Sequence, residues 1–304
     1  MIVGILGWDY EELETLTLRD AAANLGHEPW LFTLQEVSCV ERDGRLDVLA
    51  GTRRAAELDV VIVRAQLRYD RWKLDNELLT ALSGVGVPML DPAPAFVDAE
   101  SKIVGLQRAA AAGLHVPPTA LCRTVADVRA AWERWDRDVV VKPTIGFGGS
   151  DVEHVAGDFS ASEADVGRLL ETHEAVLVQP YMPHPDGDVR VTVIGDQTLS
   201  FRRIPPEGGW KANVACGASA EEVVESPALR DVAVTAARAM NLTIAGIDII
   251  EHRGHPVVVE INNCPGWYPL PEPRHPAYAE ACVRAGVAVA ESGRARVAAV
   301  TGAP

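Results

Sequence analysis

The sequence predicts a mixed α/β protein built from three lobes, and three observations carry that prediction. Strand-like and helix-like segments alternate through residues 1–95, the pattern of a small α/β lobe with a mainly parallel sheet. A proline-containing break, Asp91-Pro92-Ala93-Pro94, then interrupts the alternation. Near the other end, residues 246–267 (G-I-D-I-I-E-H-R-G-H-P-V-V-V-E-I-N-N-C-P-G-W) read as two β-branched strands around a tight turn, an antiparallel hairpin. The expected lobes are residues 1–95, 96–182 and 183–304, and a chain that is 48% hydrophobic can bury two or three cores.

In the first lobe, residues 2–6 form an apolar run, 12–25 carry helical spacing and 30–33 are strand-like; 60–63, 74–82 and 87–90 repeat the series. In the second, residues 100–112 read as a helix stopped by Gly113, and 120–122 as a strand. Thr124 caps a helix over 125–135, with Asp127 three residues on. Strand 139–142, a Gly-rich turn, a helix near 161–173 and strand 175–179 complete the lobe. The third opens near Pro183 with strands 189–194 and 198–203 and a Gly/Pro-rich loop. A helix then begins at Ser226-Pro227, an N-cap followed by a proline at the first helical position. The hairpin, a proline-rich loop over 265–276 and a last helix follow, with residues 291–304 expected to fray.

A net charge of −15 argues against a general nucleic-acid or anionic-membrane surface, although such a protein can still gather positive charge inside a nucleotide cleft. The five cysteines (Cys39, Cys122, Cys216, Cys264, Cys282) form no C-x-x-C pair and suit reduced thiols in a cytoplasmic protein. The opening M-I-V-G-I-L-G-W-D-Y has no basic n-region and is too short to span a bilayer, so it reads as a first strand. Its G-I-L-G-W-D turn lacks dinucleotide-site spacing. Arg64, just past strand 60–63, stands where open α/β sheets present ligands, or else is a surface arginine on a loop.

The hairpin carries three hard-oxygen donors of the kind that hold magnesium: Asp248, Glu260 and Asn262. Glu260 and Asn262, two apart on a strand, share a face. A three-residue loop, Arg253-Gly254-His255, would set Asp248 opposite Glu260 on that face, whereas a two-residue turn would separate them. The bland alternative is a hairpin with its polar side in water. Upstream, strand 139–141 runs into Lys142-Pro143-Thr144-Ile145-Gly146-Phe147-Gly148-Gly149-Ser150. Such a turn closes backbone N–H groups around phosphate oxygens with a lysine at the strand end, or is merely a flexible hairpin; no Walker A G-K-[ST] follows.

The order of the parts resembles the ATP-grasp ligases, in the branch of RimK-type glutamate ligases and bacterial glutathione synthetases. The likeness runs from about residue 100 to 268: the lysine strand and Gly-rich turn, V-L-V-Q-P-Y-M (176–182), D-G-D-V-R-V-T-V-I-G-D, R-R-I-P-P-E-G-G-W-K-A-N-V-A-C-G-A, then the Asp…Glu-x-Asn hairpin. The resemblance implies an ATP-grasp fold: an N-terminal Rossmann-like lobe and two α+β lobes clamping ATP. It places Lys102 and Lys142 on the phosphates, and the turn Gly146, Gly148, Gly149, Ser150 over them as a lid. Gln179, Pro180 and Tyr181 line adenine, with the Pro180 carbonyl as acceptor and the Tyr181 N–H as donor. Asp188 touches ribose or orients Arg190, and Asn213 stands near a metal site of Asp248, Glu260 and Asn262. Without the family, Lys102 would pass for a solvated helix lysine.

RimK-type enzymes usually carry F-R-S-N-hydrophobe-H-R-G-G where this chain has Trp210-Lys211-Ala212-Asn213-Val214-Ala215-Cys216-Gly217-Ala218. Lys211 keeps the charge without bidentate geometry. The His-Arg pair is absent, so RimK substrate handling need not carry over. Gly246 stands where D-alanine–D-alanine ligases tend to have an arginine, which counts against that subtype. The implied activity is ADP-forming carboxylate–amine ligation through an acyl phosphate, with Arg190 and Arg203 stabilising the acyl phosphate and oxyanion. The alternative for this arginine pair is an exposed strand face paired with nearby acids. The implied cofactors are ATP and Mg2+, as two ions, with Mn2+ able to substitute. The expected partners are small amino-acid or peptide substrates, a protein or carrier acceptor, and copies of the chain in a homo-oligomer, with neither nucleic acid nor membrane. A regulatory ATP-binding module, or an enzyme passing the acyl phosphate to a non-amine acceptor, are the competing functions.

Overall fold

The computed structural model describes residues 1–65, 67–146 and 148–301, with side chains for all of these but Tyr69 and residues 294–301. Phe147 of the glycine turn and residues 302–304 of the expected frayed end lie outside the described residues.

The N-terminal lobe comprises β1 (Ile2–Gly7), α1 (Leu13–Asn24), β2 (Glu28–Thr33), β3 (Val37–Arg42), β4 (Arg45–Ala50), β5 (Arg53–Arg54), β6 (Val60–Val63), α2 (Trp72–Gly84) and β7 (Met89–Leu90). Its sheet has the order β2-β1-β6-β7 and all its pairings are parallel. The central strand V-V-I-V of β6 is buried at every position, as a parallel strand covered on both faces must be. The antiparallel sheet β3-β4-β5 is an addition to the predicted pattern.

The segment expected as a connector is the start of a helix, α3 (Ala93–Glu100). Prolines are tolerated in a first turn because its N–H groups have no intrahelical acceptor. The helix expected over 100–112 begins at α4 (Lys102–Ala111), where Ser101 accepts the Val104 N–H as N-cap. The central lobe continues with β8 (Ala120–Cys122), α5 (Val125–Arg134), β9 (Asp138–Pro143), β10 (Glu153–Ala156), α6 (Glu163–His173) and β11 (Val176–Pro180). Its sheet is antiparallel, in the order β10-β9-β11-β8. Thr124 and Asp127 form the predicted reciprocal cap of α5.

The third lobe contains β12 (Asp188–Ile194), β13 (Gln197–Ile204), β14 (Ser219–Glu222), α7 (Pro227–Ala239), β15 (Ile244–His252), β16 (His255–Asn262) and α8 (His275–Thr301). The five-stranded sheet runs β14-β13-β12-β15-β16. On one face Val189, Val191, Val193, Ala245, Ile247 and Ile249 pack with Ala233, Ala236 and Ala237 of α7. The other face carries charge. Helix α8 leaves its own sheet to cover the first lobe: Tyr278, Cys282 and Val283 share a core with Val3, Ile5 and Ile62.

Candidate active site

Register alone assembles the charged face. Asp188 lies opposite Arg203, Arg190 opposite Asp248, and Asp248 opposite Glu260 on neighbouring strands. The last pairing is as predicted, by a different route. The turn is the two-residue Arg253-Gly254, both residues at positive φ (53° and 79°), with His252 opposite His255. That parity alone would put Asp248 and Glu260 on opposite faces. A β-bulge between Asp248 and Ile249 restores it, since Ile249 pairs with Val258 and Val259 is left over.

Arg190 grips Asp248 in a bidentate pair, Nε to Oδ1 at 2.6 Å and Nη2 to Oδ2 at 2.7 Å. Arg203 reaches the same Oδ2 at 2.7 Å while its Nε donates to Asp188 at 2.8 Å. Burial opposes the charge on Asp248, yet Arg190 and Arg203 hold its carboxyl well below the usual range. Burial wins at Asp188, whose carboxyl is pushed up despite Arg203. Two expectations change here. Asp188 holds Arg203, not Arg190, and both arginines are partly engaged by carboxylates rather than wholly open to a substrate. They still line a cavity of about 510 Å³ beside the cleft that Lys102 and Lys142 line.

The lysines converge from other elements. Lys142 ends β9 in a fully buried position, its Nζ 3.5 Å from the carbonyl of the bulged Val259, and burial pulls its pKa down to about 8. Lys102 is buried too, not a solvated helix lysine: its Nζ sits 2.8 Å from Glu260 Oε1 and also bonds the Gly146 carbonyl. The Lys102 N–H donates to the Thr144 carbonyl at 2.9 Å, tying the start of α4 to the turn. The turn itself lies against the loop 211–217. Lys211 Nζ is 3.4 Å from the Gly149 carbonyl, and a Cβ on Gly149 (φ +76°) would lie 2.6 Å from Asn213 Oδ1. Ser150 lines the cleft with Gly146 and Gly149.

At the hinge, Gln179 donates to Thr119 Oγ1 at 2.9 Å and lines the cleft with Pro180 and Tyr181. The Tyr181 N–H is already given to the Asp138 carbonyl at 3.0 Å, so it cannot be the donor expected for adenine. Three residues absent from the sequence expectations complete this end. His154 stacks near Tyr181 (ring centroids 4.1 Å apart), Trp210 meets Tyr181 edge-on at 6.0 Å, and His184 also lines the cleft. The signal for Trp210 was an aromatic beside a lysine in a Gly/Pro loop; His154 lies on β10, a strand without an apolar pattern.

The profile of the RimK-like ATP-grasp domain matches residues 99–270. The chain belongs to the RimK-like ATP-grasp family. It is 30% identical over 267 residues to the tetrahydromethanopterin:alpha-L-glutamate ligase of Methanosarcina acetivorans, covering 82% of each chain. It is 32% identical over 272 residues to a probable alpha-L-glutamate ligase of Nitrosococcus oceani, covering 88% of each. Among solved structures, D-cycloserine synthetase DcsG superposes with a TM-score of 0.71 at 21% identity over 94% of this chain and 100% of that one. The ATP-grasp ligase PsnB with its minimal precursor gives 0.69 at 20% identity over 93% and 98%. At such identities the structures show a common ATP-grasp fold.

In this ATP-grasp chain the donor set can be tested against a hard cation. Asp248 accepts three hydrogen bonds of the roughly four a carboxylate can take, leaving room on Oδ1. Glu260 keeps Oε2 beside the Oε1 engaged by Lys102. Asn262 donates through Nδ2 to the Gly246 carbonyl at 3.3 Å, a bond that does not use its Oδ1. Three oxygens on one sheet face fit magnesium. Asp248 and Glu260 line the lysine-lined cleft and Asn262 the adjoining cavity, so the trio spans their boundary. Arg64 is neither exposed nor a plain ligand arginine. It is buried, bonded to the Pro265 carbonyl at 2.7 Å and to Glu12 at 2.9 Å, and so links the first lobe to the loop after β16. No helix among the described residues is long and apolar enough to cross a membrane.

Proposed function

We propose that this chain is an ADP-forming carboxylate–amine ligase acting through an acyl phosphate on amino-acid-like or peptide substrates. One observation carries the reading. The lysine-lined cleft and the 510 Å³ cavity meet at Arg203 and Asn213, under the glycine turn, so a phosphoryl donor and a carboxylate can face each other there. The cleft is only about 140 Å³ with the turn against Asn213, well short of the several hundred that a nucleotide-sized ligand occupies. The turn therefore lifts to admit ATP and closes afterwards to exclude water.

In this reading Lys102 and Lys142 neutralise phosphate oxygens, with Lys211 beside the turn. At the hinge the Pro180 carbonyl points away from β9, because Gln179 and Tyr181 make the bonds to that strand. Strand alternation puts the Met182 N–H on the same side, and this pair replaces the expected Pro180–Tyr181 pair as acceptor and donor for adenine. Bound at Asp248, Glu260 and Asn262, magnesium, as two ions or replaced by manganese, would supply charge neutralisation at the transferred phosphate. A substrate carboxylate oxygen attacks the γ-phosphorus and ADP departs. The amine then attacks the acyl carbon, the C–O bond to phosphate breaks, and the ammonium releases one proton. Arg203, anchored on Asp188 and Asp248, donates to the developing oxyanion. A protein-borne acceptor and a homo-oligomeric form belong to the same proposal. The five cysteines stand free of disulfides, and a cytoplasmic location belongs to the same proposal.

The test is ADP release from magnesium-ATP against pooled amino acids and short peptides, with mass spectrometry of the products. A condensation product lighter by one water and formed one-for-one with ADP supports the ligase; ATP binding without ADP from any pool overturns it. Lys142 adds a pH signature. Its pKa of about 8 in the free protein is set mainly by burial, and phosphate charge would raise it. At about pH 9 the free lysine is mostly neutral, so ATP binding takes up a proton and weakens as pH rises; at about pH 7 uptake is small. Calorimetry in two buffers of different ionisation enthalpy reads this directly, and equal proton uptake at both pH values would remove Lys142 from the phosphate site.

A further inference from the structure

Glu14 is a buried carboxylate to which the proposed chemistry gives no role. It lies in the first turn of α1, 3% exposed, and its Oε1 accepts the N–H groups of both Trp267 and Tyr268 at 2.9 Å. Its Oε2 is 3.8 Å from Arg64 Nη2, which donates to Glu12. The surroundings of the bonded backbone are apolar: Trp267 stacks on Tyr278 at 5.9 Å between ring centroids and shares a core with Leu18 and Leu270. A carboxylate in such a place is costly unless donors surround it. In return it fixes a backbone position, which apolar packing alone leaves free to slide.

The segment it holds continues the strand that ends on Asn262. Residues 263–268 are fastened at almost every step, always to elements outside their own sheet. Asn263 donates to the Phe96 carbonyl at 2.7 Å and to Glu100 at 2.8 Å. Cys264 Sγ lies 3.4 Å from the Arg64 carbonyl, and the Pro265 carbonyl accepts Arg64 Nη1 at 2.7 Å. Gly266 shows how closely the Glu14 anchor is seated, since a Cβ there would stand 3.1 Å from Glu14 Oε1. Pro265 in turn abuts the metal strands. A Cβ on Gly246 would lie 2.8 Å from Pro265 Cβ, and Gly246 is the register partner of Asn262 and accepts its Nδ2.

We infer that Glu14 is a positioning residue: from the first lobe it seats the loop after β16 and thereby sets the placement of Asn262 at the metal site. Without it, Trp267 and Tyr268 lose both backbone bonds, and the displacement passes through Pro265 to the Gly246–Asn262 pair. The effect on the cation rests on the magnesium reading of Asp248, Glu260 and Asn262; the anchoring itself stands on the two N–H bonds.

The test combines hydrogen exchange with Mn2+ titration of the full chain carrying Glu14→Ala, Glu14→Gln or Gly266→Ala. In Glu14→Ala the Trp267 and Tyr268 amides are expected to exchange at least about tenfold faster. Mn2+ affinity in the presence of a non-hydrolysable ATP analogue is expected to fall about tenfold, the usual effect of removing support behind a metal ligand. Binding of the analogue without metal should stay within about twofold, because Lys102 and Lys142 are untouched. The amide oxygen of Glu14→Gln can accept both N–H groups, so that variant keeps Mn2+ affinity within about threefold of wild type. Gly266→Ala leaves the carboxylate in place but crowds it, and should move both readouts in the direction of Glu14→Ala; it decides the matter if the alanine variant does not fold. Wild-type exchange at Trp267 and Tyr268, a glutamine variant as weak as the alanine one, or an equal loss of metal-free analogue binding overturns the inference. Glu260→Gln separates the two levels. If it weakens Mn2+ binding while Glu14→Ala and Gly266→Ala do not, the inference fails and the metal site stands. If it leaves Mn2+ binding unchanged, the magnesium assignment fails, and fast exchange in Glu14→Ala still supports the anchoring.

Discussion

Glu260→Gln is expected to leave the protein folded and to slow ADP-forming turnover about a thousandfold, a loss of about 4 kcal/mol of transition-state stabilisation. The amide has the volume of the acid and can still accept from Lys102 Nζ, which sits 2.8 Å from Oε1. What it loses is the negative charge, at a position where Asp248 and Asn262 complete a hard-oxygen set. The melting temperature should move by no more than a few degrees, since the Glu260 side chain is 23% exposed and breaks no apolar packing. Glu260→Ala loses the same activity but also orphans the buried Lys102, so it is the less clean variant. Turnover at saturating magnesium-ATP, beside a thermal melt, checks both halves, and a wild-type rate in the glutamine variant would sink the metal-site assignment.

Asp248→Asn is expected to damage stability and activity together. The side chain is 3% exposed and is the shared anchor of Arg190 and Arg203, themselves 15% and 5% exposed. Without its charge, two buried guanidiniums are left with Asp188 as the nearby carboxylate, and breaking a buried pair of this kind costs about 3–5 kcal/mol. For a chain of this size that lowers the melting temperature by roughly 10 °C. Because the Asp248 carboxyl is held below its usual range, its stabilisation is complete above the unfolded value of about 4 and is lost only as pH falls further. Wild type and variant should therefore differ fully at neutral pH and converge in strong acid. Adding Arg190→Met should recover part of the melting temperature and none of the turnover. A single variant as stable as wild type would mean that the arginines do not depend on Asp248.

Periodicity exposed the parts of the fold whose strands or helices bury one clear face. The parallel first sheet, the capping box at Thr124, the Ser226-Pro227 helix start and the hairpin all announced themselves this way. The missed strands are those with little to bury. β14 reads S-A-E-E and β10 E-H-V-A, both edge strands with one covered side at most. The β3-β4 hairpin is rich in arginine and acids, although its Asp43-Gly44 turn was a legible signal. In the site, residue types were legible and partners were not. Lys102 gains its meaning from Glu260, 158 positions away, and Arg203 from an aspartate on each of two other strands. The Tyr181 N–H was misjudged for a related reason, because which backbone groups a strand keeps free depends on the phase of its pairing with its neighbour.

The bulge at Val259 constrains how relatives of this hairpin can differ in length. Its extra residue and the two-residue turn jointly decide whether Asp248 and Glu260 look the same way. Losing or gaining one residue anywhere between them inverts the outer strand relative to the inner one and turns the glutamate into the helix-packed side. Two changes that cancel, a longer turn with the bulge removed, leave the chemistry untouched. Viable length variants of this segment should therefore come in paired edits or in steps of two, and a single-residue indel here should mark a copy that has given up turnover while keeping its fold.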